Sequence, residues 1–479
     1  MSDDLRDFIR KVEQIGECRV VEGADWNEEI GDILQAAAAT PGSPMMVFDA
    51  IKGYPPGFRV VTNIFTSPRR YALAMGLEKD VTTRGLVEHW RARLKEEFRP
   101  VPPVYVDRAP IKDNVLVGDE VDLYKFPAPK WHSLDGGRYI GTGCMVITRD
   151  PDEGWVNLGT YRVQVHGKAT ATIYITPGHH GDIMRRKYWA KGLSCPVVVT
   201  CGQDINLTFV ASSGDTPWGR SEYEDAGWLQ KSPVEVTRGL ITDLPIPAHA
   251  EIALEGELVP PEVETREEGP FGEWTGYYAS AARPEPVFRV KAILHRNNPI
   301  ILGAVPTMNH RTSAGLSVRR SAEIWNDLDR KYPGVKGVWQ VEEARSLPLV
   351  VVSLNQMYGG HAKQVALACA AHPNQAYMAR WIIVVDEDID PFNITEVLWA
   401  LGTRCDPASA VDIVHNWWGS VLDPALSPEK RKQKDLTHSL GIILACKPYH
   451  WKAEFPPSIK LSEEKIAEVK KKWPSVFKT

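Results

Sequence analysis

Apolar and polar residues follow three successive patterns along the chain. In about the first hundred residues, a helical stripe formed by Leu5, Phe8 and Val12 is followed by short apolar runs such as PMMVFDAI, which are typical of buried strands. This alternation predicts an N-terminal α/β domain, which we place at residues 1–116. Near its end, FRPVPPVYVDRAP predicts an extended linker, because proline resists both helix and central strand.

The middle of the chain is mostly β in pattern. Candidate strands between residues 117 and 303 include YIGTGCMVITRD, WVNLGTYRVQVHG, CPVVVTCG and PIILGAV. Turn residues separate these runs, and HHGDIMRRKYWAKG is a helical insert. The pattern predicts a β-rich domain with a barrel-like, split-barrel type of sheet.

The last part returns to alternating helices and strands. A connecting segment at 304–325 leads into an α/β domain at 326–460, and residues 461–479 form a terminal helix. In LSEEKIAEVKKKW the acids lie in the first turn and the lysines in the last, as the helix dipole favours. The predicted fold class is therefore α/β (α+β), with an exposed terminal helix of a kind that often docks on a partner subunit.

Composition narrows the class of protein. The 479 residues are 43% hydrophobic and 24% charged, and the formal net charge of -5 gives no reason to expect nucleic acid as a partner. The start of the chain lacks the features of a signal peptide, and no apolar run is long enough to span a membrane. Seven scattered cysteines without a CxxC pair argue against a disulfide framework. We therefore predict a cytoplasmic protein.

Two glutamates flank a segment that a regular helix hardly accommodates. Glu268 and Glu273 lie on either side of Gly-Pro-Phe-Gly in EEGPFGEWTGYY, and a loop there brings them together. In WVNLGTYRVQVHG, Asn157 and Arg162 are an odd number of residues apart and face opposite sides of an unbroken strand. They converge only if Gly159 marks a bulge.

Further polar residues follow in the same region. TPGHHGD holds His179 and His180, and ASSGDTPWGRSEYED holds Ala211, Ser212 and Glu222. Asparagine, histidine and glutamate together suit Mn²⁺ or Mg²⁺ better than structural zinc. Taken one at a time, each has an ordinary alternative, such as a solvated histidine loop or a surface ion pair of Arg162.

Two other features need separate interpretations. The acidic run DEDID resembles a metal cluster, but Asn393 and Glu396 behind it form a good helix-capping pair, which favours a structural role. Lys363 follows two glycines near a predicted helix start, where it either reaches an anionic ligand or is simply solvated. DGGRYIGTGC is rich in glycine but lacks the spacing of a dinucleotide fingerprint or a P-loop.

Taken in order, WVNLGTYR, PGHHG, GRSEYE, EGPFGEWTGYY and GHAKQV resemble the UbiD family of decarboxylases that use prenylated FMN. The similarity covers most of the chain. By matching positions, the resemblance implies a catalytic trio, a Mn²⁺ site and a K⁺ site. The trio is Arg162, Glu268 and Glu273; the Mn²⁺ ligands are Asn157, His180 and Glu222; the K⁺ ligands are Trp155, Ala211, Ser212 and Glu222. The cofactor contacts that the resemblance implies are Asn157, Arg162, His179, His180, Ala211, Ser212 and Lys363.

The resemblance also implies a mechanism and partners. The substrate acid forms a covalent adduct with the cofactor, CO₂ leaves, and Glu273 protonates the remaining carbon in a reversible reaction. Arg162 keeps Glu268 ionised, since a nearby opposite charge lowers the pKa of an acid. A flavin prenyltransferase supplies the cofactor, and the enzyme is a homodimer or homohexamer.

The segments PTMNHRTSAG and DIVHNWWGSVLD correspond to substrate-facing parts of relatives. Their polar and flat side chains favour an aromatic or heteroaromatic acid as the substrate. These side chains are Asn309, His310, Asn416, Trp417 and Trp418. Three alternatives stay open: an acrylic acid of the cinnamate type as the substrate, a metal-dependent hydrolase without flavin, and a non-catalytic flavin-binding subunit.

Overall fold

The computed structural model describes residues 4–40, 42–307, 314–344 and 349–477. Two of the predicted substrate residues, Asn309 and His310, lie outside these ranges. Mixed helices and sheets confirm the predicted α/β class. Within the described ranges, no helix is both long and apolar enough to cross a membrane.

The N-terminal unit contains four helices and a small sheet. Its helices are α1 (Leu5–Gln14), α2 (Glu29–Ala38), α3 (Pro68–Ala74) and α4 (Thr83–Arg93), and its first strands are β1 (Cys18–Glu22), β2 (Met45–Asp49) and β3 (Arg59–Thr62). The predicted apolar stripe of α1 is confirmed, because Leu5, Phe8 and Val12 are all buried. Asp4 caps this helix by accepting a hydrogen bond from the backbone of Asp7.

The linker and the central unit contribute most of the strands. In chain order they are β4 (Val104–Tyr105), β5 (Asn114–Val117), β6 (Tyr139–Gly141), β7 (Met145–Arg149), β8 (Val156–Gly159), β9 (Val163–Gly167), β10 (Thr170–Ile173), β11 (Cys195–Cys201), β12 (Glu235–Arg238), β13 (Pro245–Pro247), β14 (Ile252–Leu258), β15 (Thr265–Glu268) and β16 (Arg283–His295). The helices between them are α5 (His180–Ala190), α6 (Ile205–Ser213) and α7 (Glu222–Gln230). The predicted helical insert is α5, whereas α6 and α7 were not predicted.

The main sheet of the central unit has ten strands in the described chain. Eight follow the path β6-β9-β10-β16-β14-β11-β7-β8, and β5 and β15 pair with β16 beside it. The ends of this path, β6 and β8, are not paired with each other in the described chain, so the sheet does not close into a barrel. Its interior is filled by apolar side chains such as Ile140, Val199 and Phe288.

Two strands cross the domain boundaries that the sequence predicts. β17 (Ile300–Gly303), placed in the central unit by its sequence position, pairs in parallel with β3 and completes the N-terminal sheet. β5, placed at the end of the N-terminal unit, pairs with β16. Hydrogen bonding between distant strands decides sheet membership, and the local pattern does not contain that information.

The C-terminal unit is a second α/β layer. Its helices are α8 (Ala314–Lys331), α9 (His361–Ala370), α10 (Pro373–Ala376), α11 (Ile394–Arg404), α12 (Pro407–Ala410), α13 (Pro428–Gln433) and α14 (Glu463–Lys472). Its strands are β18 (Val335–Gln340), β19 (Leu349–Leu354), β20 (Trp381–Asp386), β21 (Val411–Trp417) and β22 (His438–Ala445), in the order β18-β19-β20-β22-β21. The predicted terminal helix is confirmed as α14.

One apolar core joins the C-terminal unit to the rest of the molecule. It continues from the C-terminal sheet at Val351, through Trp325 of α8, to Trp90 of α4 and Phe209 of α6. The rings of Trp90 and Phe209 stack with their centroids 5.3 Å apart. Helices α4, α6 and α8 therefore pack in one core together with the C-terminal sheet.

Candidate functional site

Arg162 binds two carboxylates at once. It lies directly before β9, and its Nε and Nη2 donate to Glu268 Oε1 and Oε2 at 2.6 and 2.9 Å. Its Nη1 donates to Glu273 Oε1 at 2.6 Å. The fork of the guanidinium therefore holds Glu268 with two hydrogen bonds and Glu273 with one. The structure brings together the three residues that the sequence singled out.

The route by which Arg162 reaches this place differs from the sequence prediction. We expected one strand with a bulge at Gly159, but the chain leaves the sheet there: β8 pairs with β7, whereas β9 pairs with β6 and β10. A Cβ on Gly159 would lie 2.5 Å from the ring of Tyr161. Only glycine, which has no Cβ, lets the ring approach the backbone this closely. The break between β8 and β9 occurs at this glycine.

The cluster is almost completely removed from water. Only 9% of the Arg162 side chain and none of the Glu268 side chain is exposed. The rings of Tyr174 and Phe271 lie 4.6 and 5.0 Å from the guanidinium carbon, which adds cation–π attraction. Glu268 also accepts a hydrogen bond of 3.3 Å from the Tyr139 hydroxyl.

Burial has opposite consequences for the two kinds of group. Burial alone would lower the pKa of Arg162, but the bonds to Glu268 and the charge of Glu273 outweigh it and keep the guanidinium charged. Burial raises the pKa of Glu273 above its ordinary value, against the opposing effect of Arg162. Glu273 is thus the acid in this cluster that is best able to hold a proton.

The Gly-Pro-Phe-Gly linker allows both acids to face one guanidinium. Glu268 ends β15, Gly269 has a φ of +85°, and the following peptide bond to Pro270 is cis. Glycine accepts this positive φ without steric cost. The neighbouring Glu267 is exposed.

The predicted Mn²⁺ ligands surround β8. Asn157 lies buried on this strand, and the buried Glu222 is the first residue of α7. Glu222 Oε2 accepts a hydrogen bond of 2.7 Å from the backbone N–H of Leu158, the residue after Asn157. The helices α5, α6 and α7 all pack against β8. Helix α6, which carries Ala211 and Ser212 near its end, also packs against α7, which begins with Glu222.

The two adjacent histidines face different neighbours. The ring of His180 lies 5.5 Å from that of Trp155 and 5.3 Å from that of Trp218. The ring of His179 faces Tyr161 at 6.0 Å. Because Trp155 stands two residues before Asn157, this geometry favours His180 as the ligand. Burial lowers the pKa of His180 and keeps the imidazole in the neutral form that binds metals.

The residues around β8 fit a divalent ion. Glu222 forms no ion pair with lysine or arginine in the described part of the chain, and burial raises its pKa to about 8. A buried carboxylate without a cation is costly, and a metal ion supplies the missing charge. Among the described residues, no three His, Cys, Asp or Glu side chains are grouped to hold a metal.

Two other candidates have structural partners. Lys363 donates to Asp412 Oδ1 at 3.0 Å near the surface of the C-terminal unit, and no hydrogen bond or ion pair in the described chain links it to the Arg162 cluster. In DEDID, Asp386 and Asp388 pair with Arg404. The predicted cap of α11 is confirmed, since Asn393 Oδ1 accepts from the backbone of Thr395 and Glu396.

The C-terminal unit contributes a tyrosine that sequence reasoning missed. Burial raises the pKa of Tyr377, and the nearby charge of Glu273 adds to the effect. The Tyr377 hydroxyl donates to Ser420 Oγ at 2.6 Å, and its ring lies edge-on to the exposed Trp418 at 5.3 Å. Tyr377 is in no local motif, so no signal in the sequence could have found it.

Trp417 and Asn416 of this unit were also predicted to contact the substrate. Trp417 is half-buried at the end of β21, and its Nε1 donates to the carbonyl of Ala376 at 2.8 Å. Asn416 is exposed and has a φ of +58°. Through Tyr377, this segment lies near Glu273.

Three family profiles match successive parts of the chain. The UbiD_N profile, described as the N-terminal domain of 3-octaprenyl-4-hydroxybenzoate carboxy-lyase, matches residues 9–90. The UbiD profile, described as the Rift-related domain of the same enzyme, matches residues 104–309. The profile of its C-terminal domain matches residues 316–442.

Individual relatives resemble the chain over nearly its whole length. A phenolic acid decarboxylase of Sedimentibacter hydroxybenzoicus is 35% identical over 442 residues, which covers 89% of this chain and 88% of the relative. The vanillic acid decarboxylase of the same organism, in an open form, matches with a TM-score of 0.83 and 30% identity over 99% of this chain and all of the other. An evolved dimeric form of the UbiD-class enzyme HmfF from Pelotomaculum thermopropionicum, in complex with prFMN, matches with a TM-score of 0.81, 28% identity and coverage of 97% and 98%.

Proposed function

The chain belongs to the UbiD family of carboxy-lyases, and we propose that it decarboxylates an aromatic or heteroaromatic acid with prenylated FMN, reversibly. The observation that carries this proposal is the buried cluster in which Arg162 binds Glu268 and Glu273. A carrier subunit has no need of such an acid pair. Relatives of similar fold act on phenolic and vanillic acids, and HmfF binds prFMN.

Within the cluster the two acids take different roles. Glu268 accepts two hydrogen bonds from Nε and Nη2, along one edge of the guanidinium, and stays with Arg162 as a fixed counter-charge. Glu273 shares one hydrogen bond with Arg162, and its raised pKa allows it to leave as a neutral acid. The Nη1 that it releases is then available to orient the substrate carboxylate. After CO₂ departs, Glu273 donates its proton to the carbon that carried the carboxylate.

We assign the binding site of the cofactor phosphate and its ions to the residues around β8. Asn157, His180 and Glu222 would hold Mn²⁺, and Trp155, Ala211, Ser212 and Glu222 would hold K⁺. These cations neutralise the phosphate of the cofactor. Prenylated FMN, supplied by a flavin prenyltransferase, provides the sink for the electrons left by the departing CO₂.

An aromatic substrate suits the surroundings of Glu273. Tyr174 and Tyr377 lie near this acid, and Trp418 packs against Tyr377. Flat rings with hydroxyl groups favour a flat substrate that itself carries polar groups. This favours a phenolic or heteroaromatic acid over the more apolar acids of the cinnamate type.

The decisive variant is Glu273→Gln, which keeps the shape of the side chain and removes its proton. The protein is co-expressed with a flavin prenyltransferase, and CO₂ release is measured over a panel of aromatic and heteroaromatic acids. We expect normal flavin absorbance and a fall in turnover of about 10²- to 10⁴-fold. Glu267→Gln, at the exposed neighbour of Glu268, is the matched control and should retain full activity. Near-normal turnover of Glu273→Gln would refute the assignment.

We also propose that the enzyme is a homodimer or homohexamer formed through the C-terminal unit. Exposed apolar side chains occur on this unit at Leu398, Trp399 and Ile413, and on the terminal segment at Ile459 and Trp473. Exposed apolar side chains that form a contiguous patch mark a surface for association. Light scattering of the purified protein measures the mass directly. Removal of residues 461–479 should lower the mass if the terminal helix takes part.

A further inference from the structure

The glycine-rich segment DGGRYIGTGC has a place beside the proposed proton donor. Its first residue, Asp135, is buried, and both oxygens of its carboxylate are used. Oδ1 accepts hydrogen bonds from the backbone N–H of Gly272 at 3.1 Å and from the hydroxyl of Tyr278 at 3.2 Å. Oδ2 accepts from the backbone N–H of His132 at 3.0 Å.

The two donors on Oδ1 bracket the turn that begins with Glu273. Gly272 directly precedes Glu273, and Tyr278 directly follows Tyr277, whose carbonyl accepts from the N–H of Glu273 at 3.0 Å. The N–H of Gly276 donates back to the carbonyl of Glu273 at 2.8 Å. One carboxylate oxygen therefore holds both ends of this turn.

The residue after Asp135 fits against the start of the same linker. The N–H of Gly136 donates to the carbonyl of Pro270 at 2.8 Å. A Cβ on Gly136 would lie 1.9 Å from the carbonyl oxygen of Gly269. No side chain can be accommodated there without moving the backbone that joins Glu268 to Glu273.

A neighbouring histidine extends this contact. A Cβ on Gly272 would lie 2.8 Å from Cδ2 of His132, whose Nε2 is 2.9 Å from the carbonyl of Pro306. The segment from His132 to Gly136 thus contacts the Gly-Pro-Phe-Gly linker along its whole length. Within the described ranges, Asp135 forms no ion pair with lysine or arginine, so its partners are the N–H and O–H groups named above.

We infer that Asp135 is a positioning residue that fixes the turn carrying Glu273 against Arg162. The inference rests on the proposed role of Glu273 as proton donor. Proton transfer requires the acid within hydrogen-bond reach of the receiving atom, and a displacement of about 1 Å at such a group costs about a hundredfold in rate. The four-residue linker alone does not hold Glu273, since two of its residues are glycines.

The test compares Asp135→Asn with Glu255→Gln in the cofactor-loaded protein. Asparagine has one acceptor oxygen where Asp135 uses two, so either the turn or His132 loses its acceptor. Glu255 is a matched control, because it is also a buried carboxylate that accepts three backbone N–H bonds, from Leu240, Ile241 and Thr242, but it does not touch the linker. We expect kcat of Asp135→Asn to fall about a hundredfold with KM and flavin content unchanged, and kcat of Glu255→Gln to stay normal.

A second variant and a second readout keep the inference testable if Asp135→Asn folds poorly. Tyr278→Phe removes one of the two bonds on Oδ1 and leaves the carboxylate in place, and we expect a fall in kcat of about tenfold. Hydrogen–deuterium exchange of the peptide 269–278 should become faster in both variants and remain unchanged in Glu255→Gln.

The outcomes separate the two proposals. If the wild-type holoenzyme releases CO₂ from none of the acids, the proposed function fails. Faster exchange at 269–278 in Asp135→Asn and Tyr278→Phe still supports the positioning role of Asp135. Unchanged exchange in Asp135→Asn and Tyr278→Phe overturns the inference. So does a loss of kcat in Glu255→Gln equal to that in Asp135→Asn, because the effect would then reflect general stability.

Discussion

Two buried carboxylate clusters lie on the central sheet, and they differ in how their charge is balanced. In the first, Arg162 supplies a cation to Glu268 and Glu273 at hydrogen-bond distance. In the second, Glu222 accepts a hydrogen bond from the backbone N–H of Leu158, the residue after Asn157. No lysine or arginine is ion-paired to Glu222 in the described chain. The first cluster contains its own cation, whereas in the second no cation among the described residues is paired with the carboxylate.

The way in which charge is balanced distinguishes a cluster suited to catalysis from a cluster suited to ligand binding. A cluster that balances its own charge is held ready in the free protein, and a substrate rearranges only one of its bonds. A cluster that lacks a cation is a ligand site, and its stability depends on what it binds. Variants at the two clusters should therefore respond differently to metal, pH and denaturant.

The largest effect is expected from Arg162→Gln. Removal of the guanidinium leaves two buried carboxylates without their hydrogen-bonded cation, and breaking a buried pair in this way costs about 3–5 kcal/mol of unfolding free energy. Urea denaturation of the cofactor-free protein measures it. Arg238→Gln is the control, since Arg238 pairs with Asp243 on the surface, and its midpoint should not shift. Equal midpoints for the two variants would contradict the buried pairing.

The second effect concerns Glu222→Gln and Mn²⁺. In the wild-type protein, Mn²⁺ at a hundred times its Kd should add about 2.7 kcal/mol of stability, seen as a rise in Tm. In Glu222→Gln this rise should largely disappear, because the anionic ligand is gone. Glu224→Gln, two residues along the same helix, should keep the full response. A normal Mn²⁺ response in Glu222→Gln would remove Glu222 from the metal site.

The third effect is a pH dependence from Glu273. Burial raises its pKa above the ordinary value of 4.5, so the folded state keeps this proton at a pH where the unfolded chain has lost it. The stability that Glu273 contributes is therefore complete below pH 4.5 and is lost as pH rises through the folded pKa. The difference in unfolding free energy between wild type and Glu273→Gln should fall as the pH rises above 4.5. A difference in unfolding free energy that increases with pH would contradict the raised pKa of Glu273.

The smallest effect is expected from Lys363→Gln. Lys363 pairs with Asp412 near the surface, and exposed pairs contribute little. Flavin content and Tm should match the wild type. A clear loss of bound flavin would instead support the contact between Lys363 and the cofactor that the sequence suggested.

Several features were predictable because they are local. The stripe of α1, the cap of α11 and the charge pattern of α14 each depend on residues within a few turns of one another. Most strand runs were predicted for the same reason. The break at Gly159 was not, because it depends on how closely the ring of Tyr161 approaches the backbone.

The sequence by itself determined the chemical types of the site: an arginine, two acids across a flexible linker, and an Asn, His and Glu set suited to a hard cation. Only the tertiary structure decided that β17 completes the N-terminal sheet, that Tyr377 approaches Glu273, and that Asp135 holds the turn after Gly272. Local periodicity specifies which face of an element is apolar. Which distant elements share that face, and which charges are buried together, is settled only when the whole chain packs.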